Sequence, residues 1–112
     1  MPPLADAAIV FGDRYGRTAA ARFVHRLEAE AEAAGLGHAL NTPYAGGYVL
    51  DRQGDATRGI HAVQIEWSRA LYLDAALDQP GTGLATTART LRRMIDAVAD
   101  EATTGALPLA AE

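Results

Sequence analysis

The sequence predicts an α/β domain, in which a partial sheet of short strands is flanked by helices. Short apolar runs that end near glycine alternate with longer stretches whose apolar residues recur at helical spacing. Of the 112 residues, 49% are apolar and 21% are charged, which is the balance of a globular chain. Alternating strands and helices favour right-handed crossovers over one sheet. Since no repeat or linker divides the chain, we expect residues 1–112 to form a single domain.

The first part of the chain predicts a strand, a glycine turn and a helix. Residues 7–11 are an apolar run closed by Gly12, and a turn with a second glycine follows. Thr18 is placed to cap the next helix, because its hydroxyl can accept a free backbone N–H. This helix is expected to end at Gly35. Its predicted apolar face comprises Phe23, Val24, Leu27, Ala31 and Ala34.

The second part predicts two more strands and a long helix. A short strand is expected at 37–40, followed by an irregular loop at 41–48, where Pro43 and two glycines disfavour regular structure. Residues 60–67 form the clearest strand, and a helical turn at 68–73 follows it. Alternation places His61, Val63 and Ile65 on one side of that strand. The last helix should cover about 84–102, with Ala88, Leu91, Ile95 and Val98 as its apolar face.

Composition and charge exclude several classes of function. The net charge is −4 and the arginines cluster only near 89–93, so we expect no nucleic-acid partner. The chain contains no cysteine, which excludes disulfides, thiol catalysis and cysteine-ligated zinc. No apolar stretch approaches the roughly 20 residues of a membrane span. The first residues have no export signal, so we predict a cytoplasmic protein without a membrane partner.

Two kinds of site can be tested on the residues alone. His25, His38 and His61 lie far apart without metal-ligand spacing, so we expect no complete metal site within the chain. A strand histidine such as His61 is more often a hydrogen-bonded core residue. The turn at 12–16 resembles a phosphate loop in outline but lacks its motifs. It is either a tight turn or a helix N-terminus that holds a carboxylate.

Glu66 ends a mostly apolar strand and is the most informative single position. One interpretation is a surface ion pair with Arg69, which would contribute little to stability. The other is a partly buried carboxylate with a raised pKa, suited to general-base catalysis on a water molecule. The residues alone leave these two interpretations open.

Four segments together resemble the N-formylglutamate amidohydrolase family. They read F-G-D-R-Y-G at 11–16, N-T-P-Y-A-G-G-Y at 41–48, G-I-H-A-V-Q-I-E at 59–66 and R-A-L-Y-L-D at 69–74. They are similar in order and spacing to the C-terminal part of that family, from about residue 7 to residue 102. The resemblance implies a metal-dependent hydrolase with an α/β fold similar to zinc carboxypeptidases. Such enzymes cleave N-formylglutamate to formate and glutamate in histidine degradation.

The resemblance also implies roles for individual residues. Glu66 falls where the family places the carboxylate that activates a metal-bound water. Arg14 and Arg69 are candidates for holding the carboxylates of a small acidic N-acyl amino acid, because a guanidinium can donate two hydrogen bonds to one carboxylate. The implied substrate-binding residues are Asn41, Tyr44, Gly46, Gly47, Arg14 and Arg69.

Two departures from the family pattern limit what the resemblance implies. Gln53 stands where many members carry a histidine, and the H-S-G type motifs that supply metal ligands are absent. The resemblance therefore implies a Zn²⁺ whose ligands lie outside this chain, and an incomplete domain with little activity by itself. We expect it to need a complementary N-terminal half, or to self-associate through exposed apolar surface. The alternative is a non-catalytic module that binds small acidic ligands or a protein.

Overall fold

A computed structural model describes residues 7–104 as a three-stranded sheet with two long helices packed on one face. The strands are β1 (Ile9–Gly12), β2 (His38–Leu40) and β3 (Gln64–Trp67), in the order β2-β1-β3. The helices are α1 (Ala21–Ala33), α2 (Tyr48–Gln53) and α3 (Leu84–Thr104), with short 3₁₀ turns at Ala56–Arg58 and Arg69–Leu71. This architecture confirms the predicted α/β class. Among the described helices, none is long and apolar enough to cross a membrane.

The central strand determines which residues face the helices. β1 is buried along its whole length, pairs in parallel with β2 and runs antiparallel to β3. Val10 lies opposite Glu66, whereas Phe11 lies opposite Ile65. Because residues directly opposite in an antiparallel pair share a face, Val10 and Glu66 lie on one face and Phe11 and Ile65 on the other.

The hydrophobic core lies on the face that carries Phe11. Two helices, α1 and α3, pack against each other over this face. The helices are also joined at their surface by Arg26, which donates to Asp100 and Glu101 at 3.0 and 3.1 Å. These exposed ion pairs contribute little, so burial of apolar surface supplies most of the stability. The core cluster comprises Ile9, Phe11, Leu27, Ala31 and Met94.

The start of α1 differs from the prediction. Ala20 precedes the helix and no side chain caps it, so the predicted cap by Thr18 is wrong. Thr18 is buried, and its hydroxyl instead donates to the carbonyl of Ala62 at 2.9 Å. The tertiary hydrogen bond therefore replaces the local one and ties the glycine turn to the segment before β3. At the other end, Ala34 is exposed, and Gly35 follows the helix with φ +74°.

Two central segments also differ in extent. Tyr48 begins α2, whereas the sequence placed it in the preceding loop. β3 begins at Gln64, four residues later than predicted, because Ile60 pairs only locally with Asp55 in an isolated bridge. The predicted sharing of one side by His61, Val63 and Ile65 is confirmed, since all three line one cavity.

The long helix α3 has the predicted position but not the predicted buried face. Its buried residues are Thr90, Met94 and Ala97. Each stands one residue before a member of the predicted face, which is a rotation of about 100° around the helix axis. The predicted face is largely uncovered within residues 7–104, where Ile95 is 51% exposed and Leu91 38%. Periodicity located the apolar stripe correctly, but not the part of it that meets the sheet.

Candidate functional site

The candidate site lies on the sheet face opposite α1 and α3, where a loop of residues 41–47 crosses the end of β1. A shallow cavity of about 290 Å³ opens there. Its walls include Val10 from β1, Glu66 and Trp67 from β3, and Pro43 and Tyr44 from the loop. The structure thus brings the strand-end carboxylate next to the Asn-Thr-Pro-Tyr segment, although they are more than twenty residues apart in sequence.

A glycine at the end of β1 lets this loop approach closely. A Cβ atom at Gly12 would lie 2.7 Å from the carbonyl carbon of Ala45 and 2.8 Å from the backbone nitrogen of Gly46. Two residues further on, the N–H of Arg14 donates to the carbonyl of Ala45 at 2.8 Å. The loop is therefore fixed against the sheet by backbone contacts that any side chain at position 12 would disturb.

Asp13 and Asn41 form a reciprocal pair that anchors the start of the loop. The backbone N–H of Asp13 donates to Oδ1 of Asn41 at 3.0 Å, and Nδ2 of Asn41 donates to Oδ1 of Asp13 at 2.8 Å. Asp13 is buried, and the same oxygen accepts the N–H of Gly16 at 3.0 Å. Asn41 has φ +61°, a conformation that asparagine tolerates better than most residues. Asn41 thus positions the loop, and its contact with substrate remains a prediction.

Arg14 connects the loop to α2. Its Nε donates to Oδ1 of Asp51 at 3.0 Å, and its Nη1 donates to the carbonyl of Gly46 at 3.1 Å. A guanidinium has five N–H donors, so these two bonds leave donors for a ligand. The side chain is 28% exposed, which places the remaining donors at an accessible position beside the loop.

The two glycines of the loop differ in how closely they pack against their neighbours. Gly46 has φ +106°, and an added Cβ would collide with the side chain of Leu50. An added Cβ at Gly47 would lie 3.9 Å from Oε1 of Gln64. Gln64 and Glu66 share one face of β3, so Gln64 is a polar neighbour of the site that the sequence reading missed. Gln64 could have been found from the sequence, because residues two apart in a strand lie on the same face and Gln64 is two residues before Glu66. Tyr44 is 55% exposed in the same loop.

Glu66 is exposed, so the interpretation of this residue as a partly buried carboxylate is wrong. The reason is that its side chain projects from the sheet face opposite α1 and α3, which neither of these helices covers. No ion pair joins Glu66 to Arg69 among residues 7–104. Arg69 begins the exposed 3₁₀ turn after β3 and does not line the cavity. The structure therefore brings Glu66 and Tyr44 together in the cavity. The other predicted site residues do not line it, namely Arg14, Asn41, Gly46, Gly47 and Arg69.

His61 and His38 both form contacts that support the fold. Nδ1 of His61 accepts the N–H of Ala20 at 3.0 Å, and its ring stacks on Phe23 with centroids 4.2 Å apart. Burial lowers the pKa of His61 below its ordinary value, and the nearby Arg22 lowers it further. His38 contacts Glu32 at 3.0 Å. Residues 7–104 contain no group of three or more histidine or acidic side chains that could hold a metal ion. A Zn²⁺ ion therefore does not fit the described residues by themselves.

The arrangement defines an α/β unit with a strand-end carboxylate beside a glycine-containing loop, and comparisons with known proteins identify its family. The solved structure of N-formylglutamate amidohydrolase from Ralstonia eutropha JMP134 superposes with a TM-score of 0.73 and 32% sequence identity over 81% of this chain. A model of the N-formylglutamate amidohydrolase family matches residues 2–73. The chain therefore belongs to the N-formylglutamate amidohydrolase family, as the four sequence segments predicted.

The chain is similar to only part of these relatives. It spans 33% of the Ralstonia eutropha chain. An N-formylglutamate deformylase from Pseudomonas putida is 41% identical over 44 residues, which are 39% of this chain and 16% of that protein. About two thirds of the solved relative thus has no counterpart in the residues of this chain.

Proposed function

We propose that this chain supplies the substrate loop and a catalytic carboxylate for the hydrolysis of N-formyl-L-glutamate to formate and glutamate. The observation that carries the proposal is the cavity in which Glu66 meets Pro43 and Tyr44. Each of these residues lies in a segment that the family model matches. Family membership indicates the reaction, and the cavity indicates which part of the site these residues would form.

In this proposal Glu66 acts as a general base. Its carboxylate accepts a proton from a water molecule whose oxygen attacks the formyl carbon. When the C–N bond breaks, the same carboxylic acid returns the proton to the leaving nitrogen, so that formate and the amine of glutamate are released. Because Glu66 lies on the open face of β3, a water molecule can reach it.

The acidic substrate would extend from the cavity toward the glycine loop. N-formylglutamate carries two carboxylates, and Arg14 is a cation beside the glycine loop with donors left to bind one of them. Arg69 would need a movement of its turn to reach the cavity. Asn41, Gly46 and Gly47 would contribute by fixing the position of the loop.

The proposal extends to the rest of the catalytic machinery. The family resemblance implies Zn²⁺, and we propose that its ligands come from residues other than 7–104, since the described residues offer no ligand group. The 112-residue chain alone should then have little activity. A zinc-carboxypeptidase-like architecture for the whole enzyme, a cytoplasmic location and a role in histidine degradation belong to the same proposal.

One observation favours a second function, a non-catalytic module that binds small acidic ligands. Glu66 is exposed, and no described residue forms an ion pair with it, whereas a general base is commonly held by its surroundings. Such a module would use the loop and Arg14 without chemistry at Glu66.

Calorimetry and formate release distinguish the two functions. N-formyl-L-glutamate is titrated into the wild-type chain, Glu66→Gln and the control Glu30→Gln, which changes an acidic residue on α1 away from the sheet face. Each protein is also mixed with Zn²⁺ and with a fragment of the Ralstonia eutropha protein, comprising the two thirds that this chain does not match. The release of formate from N-formyl-L-glutamate is then measured in each mixture. The hydrolase proposal expects release from the wild type and Glu30→Gln mixtures and none from Glu66→Gln.

The binding-module alternative predicts a different pattern. Binding should occur without metal, should be equal in all three proteins, and should be accompanied by no release of formate. Absence of both binding and formate release would refute both functions.

A further inference from the structure

Asp51 holds the side chain of Arg14 in one orientation. Its Oδ1 accepts a hydrogen bond from Nε of Arg14 at 3.0 Å, and the carbonyl of Gly46 accepts one from Nη1 at 3.1 Å. A guanidinium held at two of its nitrogens cannot turn without breaking one of these bonds. Of its five N–H donors, one is left on Nη1 and two on Nη2. Arg14 therefore presents its remaining donors from a fixed position beside the glycine loop.

The packing of α2 fixes the position of Asp51. Asp51 lies in the first turn of α2 and follows Leu50, which is buried. The side chain of Leu50 lies so close to Gly46 that an added Cβ on this glycine would collide with it. The N–H of Asp51 also donates to the carbonyl of Gly47 at 3.3 Å. Because the buried leucine fixes α2 against the loop, the carboxylate of the next residue is fixed beside Arg14.

A second cation, Arg17, keeps this group of side chains positively charged. Its Nη2 lies 3.9 Å from Oδ1 of Asp51, which is beyond hydrogen-bond distance, and its Nε donates to the carbonyl of Arg14 at 3.2 Å. The two guanidinium groups and one carboxylate together carry one net positive charge. Asp51 can therefore orient Arg14 by a hydrogen bond without cancelling the attraction of the group for an anion.

The place of Arg14 relative to the cavity indicates which carboxylate of the substrate it would hold. Arg14 does not line the cavity that contains Glu66 and Tyr44. Gly46, whose carbonyl binds Arg14, follows Tyr44 by two residues, a reach of at most about 7 Å along the chain. In N-formyl-L-glutamate the α-carboxylate is attached to the carbon that carries the reacting amide, whereas the side-chain carboxylate is two methylene groups further away. With the amide beside Glu66, the side-chain carboxylate is the one that can extend to Arg14.

We infer that Asp51 is a positioning residue, which orients Arg14 toward the side-chain carboxylate and so selects N-formyl amino acids with an acidic side chain. The inference rests on the proposed binding of N-formyl-L-glutamate, and it adds a pair of residues outside the cavity that determines selectivity. A guanidinium can donate two parallel hydrogen bonds to a carboxylate. Because Asp51 orders the side chain of Arg14 before the ligand arrives, this ordering does not have to accompany binding.

Calorimetry with two ligands tests the role of Asp51. N-formyl-L-glutamate and N-formyl-L-glutamine, whose side-chain amide is neutral and similar in shape to the carboxylate, are titrated into the wild-type chain, Asp51→Ala, Arg14→Ala and the double variant. Asp51 is 46% exposed, so its replacement should not unfold the chain. Asp78→Ala is the matched control, because Asp78 is exposed and pairs with no arginine among residues 7–104.

We expect Asp51→Ala to weaken the binding of N-formyl-L-glutamate about fivefold, the size of effect that ordering one long side chain has on affinity. Binding of N-formyl-L-glutamine should be weaker in the wild type and unaffected by Asp51→Ala, and Asp78→Ala should bind both ligands as the wild type does. In the Arg14→Ala background, Asp51→Ala should have no further effect. A second measurement needs no ligand: the Nε–H signal of Arg14 in NMR spectra of the ¹⁵N-labelled chain should shift and exchange faster with water in Asp51→Ala.

Equal weakening for both ligands, or a further loss in the Arg14→Ala background, would overturn the inference, because Asp51 would then act on the fold and not through Arg14. An unchanged Nε–H signal of Arg14 would also overturn it, as would equal binding of the two ligands by the wild type. If the wild type bound N-formyl-L-glutamate and Asp51→Ala bound it equally well, only the positioning role would fail. If the wild type bound neither ligand, the proposed function would fail together with this inference.

Discussion

Replacing Asn41 tests whether the loop is held by its pair with Asp13. Asn41→Ala removes one hydrogen bond to a backbone N–H and one to the buried carboxylate of Asp13. A neutral hydrogen bond contributes about 0.5–1.5 kcal/mol and one to a charged group about 1.5–3, so their loss costs roughly 2–4 kcal/mol. Alanine at φ +61° adds about 1 kcal/mol, since the left-handed conformation is unfavourable for it.

The matched control is Asn41→Gly, which loses the same two hydrogen bonds but tolerates the positive φ. Its free energy of unfolding should lie about 1 kcal/mol above that of Asn41→Ala. Urea unfolding can be followed by the fluorescence of Trp67, the single tryptophan of the chain, and by circular dichroism. If Asn41→Ala unfolded within about 0.5 kcal/mol of the wild type, the pair would not anchor the loop and a purely ligand-binding role would be favoured.

Two further predictions concern the glycine contact and the partly buried His61. Gly12→Ala should displace the loop and weaken binding of N-formyl-L-glutamate in calorimetry. Gly16→Ala, at φ +87° with no atom near the added carbon, should lower stability without affecting binding, and equal effects would contradict the loop contact. The lowered pKa of His61 means that its neutral form is favoured in the folded state. Stability from this group is therefore complete above the ordinary value of 6.5 and falls as the pH drops below it, by at most about 1.4 kcal/mol per pH unit. Urea unfolding of His61→Gln should lose this dependence, whereas the exposed His25→Gln should retain it.

The parts of the fold that depend on local pattern were predictable. The apolar run before Gly12, the helix with Leu27 on its buried face and the chain reversal at Gly35 each follow from residues close in sequence. The cap by Thr18 was mispredicted because its hydroxyl forms a tertiary hydrogen bond with the carbonyl of Ala62, 44 residues away, and not a local bond at the start of α1. The sequence contains no local signal for such a partner.

For the candidate site, the structure bears only on where the predicted residues lie, and their roles remain predictions. The meeting of Glu66 with Tyr44 was expected from the family segments, and one cavity contains both. The exposure of Glu66 depends on what covers the sheet face opposite α1 and α3, and the pattern within β3 carries no information on that cover. The uncovered face of α3 has the same cause, because Leu91 and Ile95 show an apolar stripe whether or not a partner is present.

The most direct test of the candidate site is a titration of the ¹⁵N-labelled chain with N-formyl-L-glutamate, followed by backbone amide chemical shifts. We predict that the largest changes occur at Tyr44, Gly46, Gly47 and Glu66, on the sheet face opposite α1 and α3. Glu66→Gln should change the size of the shifts but not their location, because the loop is held by other residues. Shifts confined to the exposed apolar residues Leu91 and Ile95 of α3, or no shifts up to millimolar ligand, would contradict the assignment of the cavity as the substrate site.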